Sequence, residues 1–236
     1  SLGAVASPPD HGQWIQSAAP SLQDAWPTGS NKSTTTPIVL QFSETMSSEG
    51  LDGAFELMAQ GGFVPIPHTV ARVGDGRLVV ILPATPLDAG ETYTLTMVEG
   101  EELLDLTGQT FSTPGDLLQF TVADTDPADI ELVATWPPDA STDESPIGEI
   151  TAIFDRPLLA SSVTDASFAV TVGGSAPTFD PAPSALEVTL GIFPGQDTRV
   201  WRWISLDDDG KRDDLGNGAT VQLELSTPGN LLADLN

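Results

Sequence analysis

From Thr92 to Met97 the chain alternates without a break, so that Tyr93, Leu95 and Met97 share one face of an extended segment and three threonines take the other. Such a segment is a half-buried antiparallel strand. Similar short runs recur up to residue 122 as PIVLQF, AFELM, HTVARV, RLVVIL, ETYTLTMV and LLQFTV, and up to residue 225 as IELVAT, EITAIF, SFAVTV, ALEVTL, RVWRWI and TVQLEL. Clusters of Gly, Pro, Asp and Ser separate them. With 22 Gly and 20 Pro in 236 residues, no helix-length stretch is free of such punctuation. The pattern predicts an all-β chain built from antiparallel β-sandwiches.

Laid against itself, the chain answers itself at a nearly constant offset. AWPTGSNKSTTTPIVLQFSETM at 25–46 parallels TWPPDASTDESPIGEITAIFDRPL at 135–158, and SSEGLDGAFEL at 47–57 parallels ASSVTDASFAV at 160–170. Trp26 and Trp136, Phe42 and Phe154, and the stretches Asp105–Gly108 and Asp214–Asn217 are each about 110 residues apart. This predicts two tandem β-sandwich domains, at 19–124 and 125–236, after an Ala-, Ser- and Pro-rich tether at 1–18. The boundary is read at ADTDPADIE, where Pro127 and neighbouring acids form a linker short enough to restrict the angle between domains.

The Trp-Pro start, the strand ends QFSETM and IFDRPL, the run ILPATPLDAGETYTLTM, the turns DLTGQ and DLGNG, and the closing LLQFTV together resemble the bacterial Ig-like domain of the SbsA type. That family is named for a surface-layer protein and occurs in tandem on secreted bacterial proteins. The resemblance covers nearly all of 20–124. The second copy departs from it at LGIFPGQDTRVWRWISL, which lacks the P-L-x-x-G-x-x-Y pattern formed by Pro86, Leu87, Gly90 and Tyr93. The resemblance implies a non-enzymatic spacer, scaffold or adhesive module, extracellular or on the cell surface, whose first partners are other domains of a larger parent protein. It carries over no catalytic residue.

Charge narrows the partners further. Asp and Glu number 34 against 8 Lys and Arg, a formal net charge of −26, which repels nucleic acid and anionic membrane surfaces. The same acidity suits a secreted protein in a saline or calcium-bearing medium. With no cysteine, neither disulfides nor thiol chemistry enter. No apolar run reaches the roughly 20 residues of a membrane span, so direct membrane insertion is not expected. The opening SLGAVASPPDHGQW lacks the basic and apolar regions of a signal peptide and reads as the start of a mature or trimmed fragment.

Two stretches remain as candidate sites. SLDDDGKRDDLGNG at 205–218 offers Asp207, Asp209, Asp213 and Asp214 as oxygen ligands for Ca²⁺, with Gly210 to allow the bend. It fails the EF-hand pattern, because Gly210 at position six puts Ser205 at position one and Gly216 at the position that needs an acid. The other reading is a solvated hairpin loop, which the acidic stretch VEGEELLDLTGQ of the first copy supports. In RVWRWI, Trp201 and Trp203 share one strand face while Val200, Arg202 and Ile204 share the other. Inward-facing rings are core, outward-facing rings are a platform for a glycan or protein ligand, and one face could contact the first domain. Trp26 and Trp136 read as structural plugs at the sandwich edges.

Catalysis finds little footing. The histidines are His11, in the tether, and His68, at a strand edge, and no G-x-S-x-G elbow accompanies either. A structural or adhesive module is therefore the leading expectation. The alternatives are a glycan- or protein-binding module, or an accessory domain pair of a secreted hydrolase.

Overall fold

The computed structural model describes residues 18–113, 115–138, 149–163, 168–172, 184–190, 193–204 and 221–225. Ten strands fall before residue 123: β1 (Leu22–Trp26), β2 (Gly29–Lys32), β3 (Ile38–Phe42), β4 (Phe55–Ala59), β5 (His68–Val73), β6 (Leu78–Pro83), β7 (Thr92–Met97), β8 (Leu103–Leu104), β9 (Thr110–Phe111) and β10 (Gly115–Val122). They form two four-stranded sheets, ordered β1-β3-β6-β5 and β2-β10-β7-β4, with a small β8-β9 hairpin beside them. All pairs are antiparallel except β2 with β10, because after Pro27 the chain leaves the first sheet and joins the edge of the second.

The alternation read at 92–97 holds, since Tyr93, Leu95 and Met97 are buried and the threonines between them are half-exposed. With Leu118, Phe120 and Val122 of β10 they face Ile38, Leu40 and Phe42 of β3 and Val79 and Ile81 of β6, closing the first core. Tyr93 stacks on Phe120 with ring centroids 5.8 Å apart, and its hydroxyl oxygen accepts a 2.8 Å hydrogen bond from the Asp88 amide. The P-L-x-x-G-x-x-Y pattern thus has a physical sense: Leu87 enters the core, Tyr93 ties down the turn, and Gly90 bends it at φ +76°. A Cβ at Gly90 would lie 2.6 Å from Asp124 Oδ1. Gly90→Ala is expected to cost about 1–2 kcal/mol for the left-handed backbone alone, read as a lower denaturant midpoint at an unchanged slope.

The second copy repeats the first sheet. Strands β11 (Leu132–Trp136), β12 (Glu149–Phe154), β13 (Phe168–Val172), β14 (Ser184–Leu190), β15 (Phe193–Ile204) and β16 (Val221–Leu225) give a sheet ordered β11-β12-β15-β14 and an antiparallel pair β13-β16. In β1-β3 the register opposes Leu22 to Phe42 and Trp26 to Val39, and in β11-β12 it opposes Leu132 to Phe154 and Trp136 to Thr151. Each pair has its irregularity after the first residue, between Leu22 and Asp24 and between Leu132 and Ala134.

One expected equivalence is corrected by the pairing. β16 pairs with β13 as β7 pairs with β4, Leu225 opposite Phe168 where Met97 is opposite Phe55. The stretch 205–218 therefore follows β15 where residues 84–91 follow β6, and Asp214 does not correspond to Asp105. Asp105 sits after β7 in the β8-β9 turn, where its carboxylate accepts bonds from the Thr107 amide and hydroxyl and the Gln109 amide. Burial alone would raise that carboxyl, but the hydrogen bonds from Gln109 and Thr107 hold it below the usual carboxylate range. Short Asp-Leu-Gly stretches look alike because many turns need the same residue types, whereas a five-residue strand pairing specifies one partner.

Candidate functional site

The outer face of the first sheet is as apolar as its inner one. β6 is buried at every position from Leu78 to Pro83, with Val79 and Ile81 turned into the first core and Leu78, Val80 and Leu82 turned away from it. With Val39 and Val73 those residues meet Trp136, Ile153 and Val200 of the second copy in a separate core. β12 splits likewise, since Ile150, Ala152 and Phe154 alternate with Ile153, which packs toward the first sandwich. Like sheets, β1-β3-β6-β5 and β11-β12-β15-β14, supply the two sides of this joint.

Polar contacts complete it. Trp136 is 3% exposed and lies against the β5-β6 turn, where a Cβ on Gly74 would come within 2.5 Å of its Cγ. The Arg77 guanidinium sits over the same ring, 5.6 Å from its centroid. Asp75, in that turn, has its carboxyl raised by burial in spite of the nearby Arg77. Arg199 is buried beside Asp197, its Nε donating to Asp197 Oδ1 at 2.9 Å, and its Nη1 crosses to the Thr35 carbonyl at 3.0 Å.

The linker is held at both ends. On the first sandwich, Asp126 accepts from the Thr34 amide at 2.7 Å and the Thr34 hydroxyl at 2.8 Å. On the second, Asp155 Oδ1 accepts from the Glu131 amide at 2.9 Å, and the Asp155 amide donates to the Glu131 carbonyl at 3.0 Å. Arg156 pairs with Asp155 at 2.8 Å and also donates to the Asp129 carbonyl at 3.0 Å, with both side chains almost wholly buried. The first copy has the same clasp in uncharged form, Ser43 accepting from the Ser21 amide at 3.0 Å and donating its own amide to the Ser21 carbonyl. The second copy adds charge at the place where the clasp must also grip the linker.

The sequence-read site residues fall as follows. Trp201 is 4% exposed, and its Nε1 donates to the Thr198 carbonyl at 2.8 Å. A ring so enclosed offers no face to a glycan, so of the readings left open Trp201 takes the core one. Val200, on the opposite face, makes the contact with the first sandwich. Trp203 lies opposite Ile150 in the β12-β15 ladder, and its side chain lies outside the described residues. Asp207, Asp209, Asp213 and Asp214 also lie outside them. Among the described residues, no three His, Asp or Glu side chains converge as cation ligands. His68 begins β5, with Nδ1 donating to the Ile66 carbonyl at 2.8 Å.

The two repeat tryptophans part company. Trp136 is the expected plug, whereas Trp26 is half-buried and lines a groove of about 310 Å³ between β2 and the linker. Lys32 Nζ stands 5.1 Å from the Trp26 ring centroid. Asn31, at φ 65°, lines the same wall, and Pro127, Asp129 and Glu131 form the other. Neither the groove nor the joint is visible from local patterns, because each gathers residues far apart in the chain.

Residues 16–122 match the family model described as bacterial Ig-like domain. No curated protein is significantly similar to the chain. Among solved structures, the S-layer protein rSbsC(31-844) is 12% identical with a TM-score of 0.37, over 88% of this chain and 32% of that one. PcoC, a copper resistance protein from Escherichia coli, is 22% identical with a TM-score of 0.34, over 43% of this chain and 98% of its own. CopC from Methylosinus trichosporium OB3b is 19% identical with a TM-score of 0.34, over 47% and 96%. None of the three supports an assignment of role. The chain is all-β, built of tandem Ig-like antiparallel sandwiches, and the stretch that holds the first of them is similar to bacterial Ig-like domains.

Proposed function

We propose that the chain is a non-catalytic structural module of a larger bacterial secreted or cell-surface protein, a stiff pair of Ig-like sandwiches of the SbsA type that spaces and orients adhesive or anchoring neighbours. The observation that carries this reading is the joint, where an apolar core of its own and a linker hydrogen-bonded at both ends connect the two sandwiches. A spacer that transmits position needs such a joint, since domains joined only by a tether reorient freely. The acidic surface, at −26 formal charge, fits an extracellular setting and keeps neighbouring copies apart.

Small-angle X-ray scattering of the whole chain, at low and at high salt, tests the reading. One fixed arrangement of the two sandwiches should fit both profiles. Profiles that require a spread of interdomain angles would remove the mechanical basis of the proposal.

A further inference from the structure

We propose that the groove between Trp26 and the linker is a binding site for a neutral carbohydrate. The starting observation is an asymmetry within the repeat. Each ring has a cation over it, Arg77 on Trp136 and Lys32 on Trp26, but Trp136 is also closed in by the turn at Gly74 and buried, while Trp26 is half-buried and lines a groove of about 310 Å³. That is within the size of small-molecule pockets, which favour domain junctions.

The chemistry of the walls selects the ligand class. The indole supplies an apolar face for the C–H side of a sugar ring, as tryptophans with one wet side do. Lys32 Nζ, 5.1 Å from the ring centroid, stands where it can donate to a hydroxyl lying over the ring. Asn31 adds an amide that both donates and accepts, and the exposed carboxylates of Asp129 and Glu131 accept from hydroxyls on the opposite side. An anionic ligand would meet those carboxylates and the −26 charge of the whole chain. A cationic ligand would be repelled by the Lys32 ammonium that already stands over the ring. A neutral polyhydroxylated ring meets neither repulsion, and its hydroxyls can accept from that ammonium as it shifts aside.

The site spans β2, the linker and, at its base, Asp155 of the second sandwich. A bound sugar would therefore touch both domains across the joint. This inference goes beyond the spacer reading and does not depend on it, since a stiff joint without a sugar and a sugar site on a looser joint are separate outcomes.

The test is a titration of the ¹⁵N-labelled whole chain with cellobiose, maltose and chitobiose, with glucuronate as the anionic comparator. The expected result is a saturable shift of the Trp26 indole N–H signal for at least one neutral disaccharide, with a millimolar dissociation constant and weaker binding of glucuronate. Trp26→Leu should weaken that binding by about tenfold or more, the loss of a stacking ring. Asn31→Gly is the second variant, because glycine accepts the positive φ without strain and only the amide is lost. Its expected effect is about threefold to tenfold, that of one hydrogen bond. No saturable shift with any of the three sugars would overturn the proposal. So would glucuronate binding more tightly than all of them, or neutral-sugar binding unaltered in Asn31→Gly.

Discussion

Trp136→Ala is expected to destabilise the chain by about 3–5 kcal/mol, the usual cost of emptying a buried tryptophan site, and to divide one calorimetric unfolding transition into two. The ring is 3% exposed, belongs to the joint's core and fills the space above Gly74. Removing it exposes apolar surface of the first sandwich that it helps to cover, in the cluster of Val73, Val80 and Leu82. Because the lost contact lies between domains, the damage should appear first as lost coupling. Gly74→Ala strikes the same contact from the other side, with a Cβ 2.5 Å from the ring and a backbone at φ +64°. The two changes share one contact, so the double variant should lose less than the sum of the singles. Two fully additive losses, or a single transition surviving Trp136→Ala with less than about 1 kcal/mol of change, would show that the joint does not couple the sandwiches.

Much of the architecture was legible because local patterns settle it. Alternation at Thr92–Met97 placed Tyr93, Leu95 and Met97 inside, and the Trp-Pro and Phe anchors placed the paired first strands of both copies. The joint left a trace too, since RLVVIL is apolar without alternation, the mark of a strand covered on both faces. Trp201 shows the limit of that trace. In RVWRWI both faces carry apolar residues, and no periodicity says which neighbour covers which, so a core ring and a ligand platform read alike until the neighbouring sheet is in place. The mistaken match of Asp214 to Asp105 has a related cause, because turn chemistry is shared by unrelated turns. The Trp26 groove was beyond local reading altogether. Its walls, β2 and the linker, are about 100 residues apart in sequence, and what separates Trp26 from Trp136 is the hairpin that covers one and not the other.

Asp155→Ala should be as costly as the loss of the tryptophan, for an electrostatic reason. Asp155 and Arg156 are 4% and 3% exposed at the side chain and 2.8 Å apart, and between them they hold the Glu131 amide and the Asp129 carbonyl of the linker. Removing the carboxylate takes away the buried charge 2.8 Å from the Arg156 guanidinium and leaves the Glu131 amide without that acceptor. Breaking such a pair from one side costs about 3–5 kcal/mol, whereas replacing both members by apolar residues is often close to neutral. The double variant Asp155→Leu/Arg156→Leu should therefore recover much of the loss by chemical denaturation, while the linker, freed from its grip, moves independently of the second sandwich. Scattering separates the two consequences. If the clasp serves position more than stability, the double variant melts near the wild type yet samples a range of interdomain angles. If the double variant keeps one arrangement, the apolar core alone sets the angle and the charged clasp is not what orients the pair. The uncharged Ser21–Ser43 clasp favours the first outcome, since the same strand entry forms there without an ion pair and Arg156 supplies the added contact to the linker.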